Sequence, residues 1–267
     1  MRQLKTVRLL LVTLLCGSSF AARGTSTDKR ELLRAARQSY YNLPSQGFIE
    51  FQCSAIPDWT AILKEELKSE IPPDHPGLKL LNRIHFWLSL DQNGSAKLTH
   101  QSDYVPTDQK SIESLNQTIS GMEEVLTGFS HSISPYLFTS PFPKIDADYE
   151  LDERQDQYQL SYREGGFDIQ TTMRKDFGIV QMKVVGTKFT GTFEPQLVKT
   201  DLGFLVSSYE GTYQPSSESN AMRVSVQIDY KVVEGFELPS ELRVNTRVGV
   251  SSHRIEIHFT DYQVKKR

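Results

Sequence analysis

The sequence predicts an α+β fold that is mostly antiparallel β, one curved sheet closed by a few helices. Three observations predict it. From Met222 to Val264 the chain alternates apolar and polar residues in three successive runs. That is the period of two of a strand with one buried and one wet face. From Tyr149 onward, turn signals recur with no helical segment between them, which excludes a βαβ arrangement. Before Tyr149, apolar residues recur at helical spacing in three stretches.

In the terminal runs, Met222, Val224, Val226, Ile228, Tyr230 and Val232 share one parity, with Arg223, Ser225, Gln227 and Asp229 on the other. Leu242, Val244, Thr246 and Val248 repeat the pattern, and Ile255, Ile257 and Phe259 repeat it again. Three such strands in a row make a meander. In the last of them the apolar parity shifts to Tyr262 and Val264, so a bulge is expected near Thr260–Asp261. Lys265, Lys266 and Arg267 read as a solvated end.

The N-terminus reads as an export signal over residues 1–21. Arg2, Lys5 and Arg8 precede an apolar run, Leu9–Leu15, that is too short to span a bilayer, and Ala21 and Ala22 offer cleavage points. Its brevity points to a bacterial periplasm. Lipidation of Cys16 is a second reading, since Leu14-Leu15-Cys16-Gly17 loosely resembles a lipobox, although Leu15 is bulky for its position. The chain has two cysteines. If Cys16 leaves with the signal, Cys53 has no disulfide partner and the core must supply the stability. The formal charge of −3 is spread without a broad basic face, which argues against a nucleic-acid partner.

Residues 28–264 read as a single domain, taken here in order. Asp28–Leu43 is a helix with Leu32, Leu33, Ala36 and Tyr40 on its stripe, stopped by Pro44. Gly47–Ala55 is a first strand. Pro57 opens a second helix that carries Trp59, Ile62, Leu63 and Leu67 inward and ends at Pro72-Pro73. Ile71–Gly77 is a loop. Ile84, Phe86, Leu88 and Leu90 alternate into the hairpin turn Asn93-Gly94, and Ser95–Ser102 returns. Pro106–His131 is the longest helix, with Ile112, Leu115, Ile119, Met122, Leu126 and Phe129 at steps of three and four. A proline-rich aromatic loop, Pro135–Pro143, follows. Strands run through Tyr149–Leu151, Tyr158–Tyr162, Phe167–Met173 and Ile179–Val184, then from about Gly203 to Gln214.

Searches for chemistry return little. No HExxH, G-x-S-x-G, P-loop or G-x-G-x-x-G occurs. Glu256 and His258 share a strand face at metal-pair spacing, but a third ligand is missing, and a wet strand face is the reading preferred. Asp74-His75 has no nucleophile beside it. Cys53, in a strand-like run, reads as a structural thiol. The acids from Asp146 to Asp156 lack the glycine-centred spacing of a calcium loop and read as a solvated strand edge. No catalytic residue, cofactor or metal is assigned.

An amphipathic helix entering a strand, a long central helix, and a closing run of antiparallel strands together resemble the LolA/LolB/LppX-like fold of periplasmic lipoprotein carriers and lipid-binding proteins. Asp229-Tyr230-Lys231, Gly235-Phe236-Glu237-Leu238-Pro239 and Phe259-Thr260-Asp261-Tyr262 look like the closing strands of that group. Two features depart from it. The helix from Pro57 falls where the family passes directly from first strand to second, and the family's Pro-Gly…Arg-Trp stretch is echoed only by Pro76-Gly77 and Arg83…Trp87. The resemblance implies a half-barrel, an incomplete β-barrel lidded by helices over an apolar cavity. It implies an exported, non-enzymatic protein that holds a lipid, an acyl chain or a lipidated protein and touches membranes transiently. The cavity candidates are Phe86, Leu88, Ile119, Met122, Phe129, Val224, Val226, Ile228, Val244 and Ile257. The alternative is a fully packed interaction module that docks a protein partner through a strand edge or the 135–143 loop.

Overall fold

The computed structural model describes residues 27–103, 106–217 and 220–267. The expected export signal and Cys16 lie outside them. Four helices occur among the described residues: α1 (Thr27–Gln38), α2 (Trp59–Leu67), α3 (Pro76–Leu81) and α4 (Gln109–Leu137). The strands are β1 (Phe48–Pro57), β2 (Ile84–Asp91), β3 (Ala96–Ser102), β4 (Tyr149–Glu153), β5 (Gln157–Glu164) and β6 (Phe167–Arg174). They continue with β7 (Ile179–Val185), β8 (Phe189–Thr200), β9 (Gly203–Pro215), β10 (Met222–Val233), β11 (Phe236–Val248) and β12 (Ser251–Lys266).

All twelve strands form one open antiparallel sheet in the order β3-β2-β1-β12-β11-β10-β9-β8-β7-β6-β5-β4. The strands β4 to β12 are an unbroken meander, and β12 then pairs with β1, which leads a second, shorter meander through β2 to β3. The two edge strands are therefore β3 and β4, and α4 is the connection between them. At 1.5 Å per residue its 29 residues span about 44 Å. The acids Asp152 and Glu153 lie on the edge strand β4, as expected, where charge discourages further pairing.

The terminal meander has the register its parity requires as far as Asp229; a bulge between Asp229 and Tyr230 then flips the face, which sets Lys231 opposite buried Leu238 and leaves Val232, expected inside, 66% exposed. Ile228 pairs with Leu242 and Leu242 with Ile257, while Val226 pairs with Val244 and Val244 with Ile255. Each apolar row therefore crosses three strands on one face. The bulge falls where it was expected: Asp261 has φ 52° and the β1–β12 register shifts between Gln52 and Ser54. Lys265, Lys266 and Arg267 are exposed, as a solvated end requires, but β12 extends through Lys265 and Lys266. They pair with Glu50 and Phe48 of β1, and Lys265 Nζ lies 2.6 Å from Glu50.

Other boundaries move for identifiable reasons. Helix α1 stops at Gln38, short of Leu43, because Ser39–Tyr41 is drawn against β9: Phe204 N donates to Ser39 O at 2.7 Å and Tyr41 N to Phe204 O at 2.9 Å. Gly203, at φ 121°, permits the approach, since a Cβ there would stand 2.7 Å from the Ser39 carbonyl oxygen. Pro76 opens the short helix α3 inside what reads as loop and the residues after it. Asp58 and Asp108 cap α2 and α4, each accepting from a backbone N–H at 2.9 Å. Helix α4 runs through Pro135 to Leu137 because Leu137 and Phe138 bury fully, and packing overrides one lost helical hydrogen bond. The proline-rich loop is thus partly helix. Strand β8 was missing from the sequence reading.

Two apolar clusters cover the inner face. The larger joins α4, α2 and α3 to β1, β2 and the middle of β10–β12. Within it Phe129 stacks on Phe259 with centroids 5.4 Å apart. The smaller packs Leu33, Ala36 and Tyr40 against Phe142, Leu160, Met173 and Ile179. Tyr136 and Leu197 touch both.

Candidate functional site

Period-two alternation puts the apolar residues of each strand on the helix side of the sheet, but that side is not packed evenly. Under α4 it is closed. Phe86, Leu88, Leu242, Ile257 and Phe259 are each no more than 2% exposed. Toward the other end of β10–β12 the same rows open. Val224, Val244 and Ile255 are only half-buried, although each lies on the same face as a fully buried neighbour.

The open region continues across β7–β9. One row runs Thr171, Met182, Phe193, Gly211, Val224, and the next runs Ile169, Val184, Gly191, Tyr213, Met222. Met182, Val184, Phe193, Tyr213 and Met222 all keep part of their surface. The Phe193 ring lies over Gly191 and Gly211, where an added Cβ would come within 3.0 and 3.3 Å of it. The two glycines let an aromatic ring lie flat on the sheet. Helix α4 borders this floor through Ser132 and Tyr136.

Several hydroxyls face the interior. Burial raises the phenols of Tyr136, Tyr162 and Tyr209 above their ordinary range, and for Tyr209 a hydrogen bond with Ser132 partly offsets the rise. These rings nonetheless retain accessible surface. Thr171 is wholly buried, and its hydroxyl finds no hydrogen bond of good geometry. An interaction with Tyr162 remains, and it offsets a little of the rise that burial imposes on that phenol. Other tyrosines are structural. Tyr41 accepts from Glu237 N at 2.8 Å, Tyr230 donates to Val206 O at 2.8 Å, and Tyr40 bridges Phe177 O and Ile179 N.

The ten cavity candidates divide accordingly. Phe86, Leu88, Ile119, Met122, Phe129, Val226, Ile228 and Ile257 are buried among other side chains, and Val224 and Val244 line the half-open floor. The floor residues Met182, Phe193, Gly191, Gly211 and Tyr209 escape the sequence reading. The available signal was Phe189-Thr190-Gly191-Thr192-Phe193, an alternation blunted by glycine at an inner position.

On the outer face, register supplies the third group missing beside Glu256 and His258. Glu241 pairs with His258 across β11–β12, and the three ligand atoms lie within 4.8 Å of one another. The imidazole is clamped between them, with Nδ1 3.6 Å from Glu241 and Nε2 3.5 Å from Glu256. Each carboxylate also holds an arginine: Arg243 Nε lies 2.8 Å from Glu241, at an angle too poor for a hydrogen bond, and Arg254 lies 3.1 Å from Glu256. A cation would take one imidazole nitrogen and displace arginines, so the arrangement reads as an ion-pair network. Asp74 is exposed and His75 Nδ1 is buried without a partner, so the structure does not build a dyad there. Cys53 is buried, and burial pushes its thiol up to about 12, which suits a structural role. A separate cleft of about 230 Å³ opens beside Ser39, Asp176, Lys199 and Gly203. None of its lining residues belongs to the floor.

No helix among the described residues is long and apolar enough to cross a membrane. Neither protein-family models, nor curated proteins, nor solved structures yield a match to this chain.

Proposed function

We propose that the protein is an exported, non-enzymatic binding protein of the LolA-like kind, its open sheet curled into a half-barrel that holds a lipid, an acyl chain or a lipidated protein. The observation that carries this reading is the uneven closure of the inner face. Where α4 lies, the apolar rows are sealed; beyond it, Phe193, Val184, Met222, Val224 and Val244 keep accessible surface on the interior side. Such a floor leaves a chain of methylenes something to cover, at ~0.8 kcal/mol for each CH₂ withdrawn from water. The ligand arrives from a membrane or a lipidated partner, and the periplasm is the compartment.

The alternative, docking through residues 135–143, has less behind it. Leu137, Phe138 and Phe142 of that segment are buried, and Arg37 fixes its carbonyls at Phe142 and Pro143 with bonds of 2.8 and 2.6 Å.

The test uses Nile red, an uncharged apolar fluorophore, with mature protein. Saturable uptake near one per chain is expected, together with co-purifying lipid in organic extracts of protein from its source. No uptake and a clean extract would leave the interaction-module reading standing.

A further inference from the structure

Resting on the binding reading above, we infer that the ligand held on this floor is a neutral amphiphile, a lipid whose polar end is a hydroxyl, ester or amide received by Thr171 and the surrounding tyrosines, and that carboxylate and phosphate headgroups are refused.

The first ground is the absence of charge from the floor positions. On β5 the inner positions are Tyr158, Leu160 and Tyr162; on β6, Ile169, Thr171 and Met173; on β7 and β8, Met182, Val184, Phe193 and Pro195. On β9 to β11 they are Tyr209, Tyr213, Val224, Val226 and Val244. None carries a charge. On the same strands Arg163, Lys183, Glu194, Arg223 and Arg243 fall on the opposite parity, and the charges that share the inner parity, Glu164 and Lys231, stand toward strand ends, outside the floor rows. Charged groups border the floor: Lys175 Nζ lies 4.1 Å from the centre of the Tyr158 ring and is already paired with Glu153. Glu164 ends β5 and repels an anion, and Arg37, which interacts with it, is already engaged by two carbonyls. An ionised headgroup brought onto the floor would lose its water and gain no counter-charge.

The second ground is a poorly satisfied hydroxyl. Thr171 Oγ1 is buried on the inner row and makes no hydrogen bond of good geometry, although Tyr162 is close enough to interact with it, and a buried polar group in that state calls for an explanation. Tyr162 flanks it, and Tyr136 and Tyr209 complete a group of donors and acceptors that stay protonated because burial disfavours their ions. Neutral hydroxyls satisfy a neutral hydroxyl or carbonyl. They do not balance a full negative charge.

The experiment is displacement of Nile red from the mature protein by hexadecanol and by palmitate, which share a chain length and differ at the head. Hexadecanol is expected to displace at least tenfold more tightly. Thr171→Val keeps the branched shape without the hydroxyl. It should weaken hexadecanol several-fold relative to palmitate, each measured against the variant's own Nile red affinity, with the unfolding midpoint unchanged or raised. Equal displacement by the two probes overturns this inference while the binding reading survives, and so does a Thr171→Val variant that leaves their ratio unmoved. Absence of Nile red uptake overturns both.

Discussion

Ile255 and Ile257 are the same residue type, on the same strand and the same face, two positions apart. Ile257 is fully buried and pairs with Leu242, while Ile255 is half-buried and pairs with Val244. They therefore measure the closure of the inner face with chemistry held constant. Replacing a sealed isoleucine by alanine removes its transfer free energy and leaves a cavity, about 2–5 kcal/mol in total. At Ile255 part of the side chain is already accessible and no closed cavity forms, so Ile255→Ala is expected to cost about 1 kcal/mol. The gap between the two variants should be about 1–4 kcal/mol. It is read as a difference in urea midpoint at unchanged m-value, since m reports the surface exposed on unfolding. Equal costs for the two variants would mean that the floor around Ile255 is packed as tightly as that under α4. The argument for a half-open interior would then fail, whatever the dye experiments showed.

Further outcomes follow from single positions. Gly203→Ala sets a Cβ against the Ser39 and Tyr40 backbone at φ 121°, and should cost about 1–3 kcal/mol in denaturant titration; faster amide exchange at Tyr41 would locate the damage at the bridge to Phe204. Tyr41→Phe leaves the Glu237 N–H without its acceptor, a loss of about 1–3 kcal/mol, and an unchanged midpoint would show that water replaces the phenol. Cys53 should resist a thiol reagent at mild alkalinity in the folded protein and react on unfolding, because its thiol is pushed up to about 12. The same shift sets a pH dependence. Cys53 and the raised tyrosines, Tyr40, Tyr136, Tyr162, Tyr209, Tyr230 and Tyr262 among them, hold their protons in the folded state beyond the unfolded pKa. The unfolded chain thus binds fewer protons once pH passes ~9, so stability is full below that point and declines above it. Urea midpoints across that range, with phenolate absorbance alongside, would show it; a flat profile would contradict the burial of these groups.

How much of this was legible in the sequence depends on the range of the interaction responsible. Alternation in Met222–Val264, the Asn93-Gly94 turn and the stripe of α4 are local signals, each set by a residue and its near neighbours, and each yielded the element it implied. The parity shift at Thr260–Asp261 was enough to locate a bulge, because the side-chain period of a strand is two and any slip must be absorbed somewhere. Helix α1 was read too long because its end is decided by a bridge to Phe204, far along the chain.

By itself, then, the sequence determined which residues of Met222–Ile228, Leu242–Val244 and Ile255–Phe259 face in, whereas the bulge at Asp229–Tyr230, which turns Val232 outward, was not legible in it. The tertiary structure decided which inward residues are sealed and which stay open, since that depends on where α4 lies across the sheet. It decided that Glu241 joins Glu256 and His258, since strand register alone brings them together. It also decided that Thr171 lies buried beside Tyr162 without a hydrogen bond of good geometry. Polarity is a property of each residue, whereas closure is a property of the space between elements, and no window of sequence contains it.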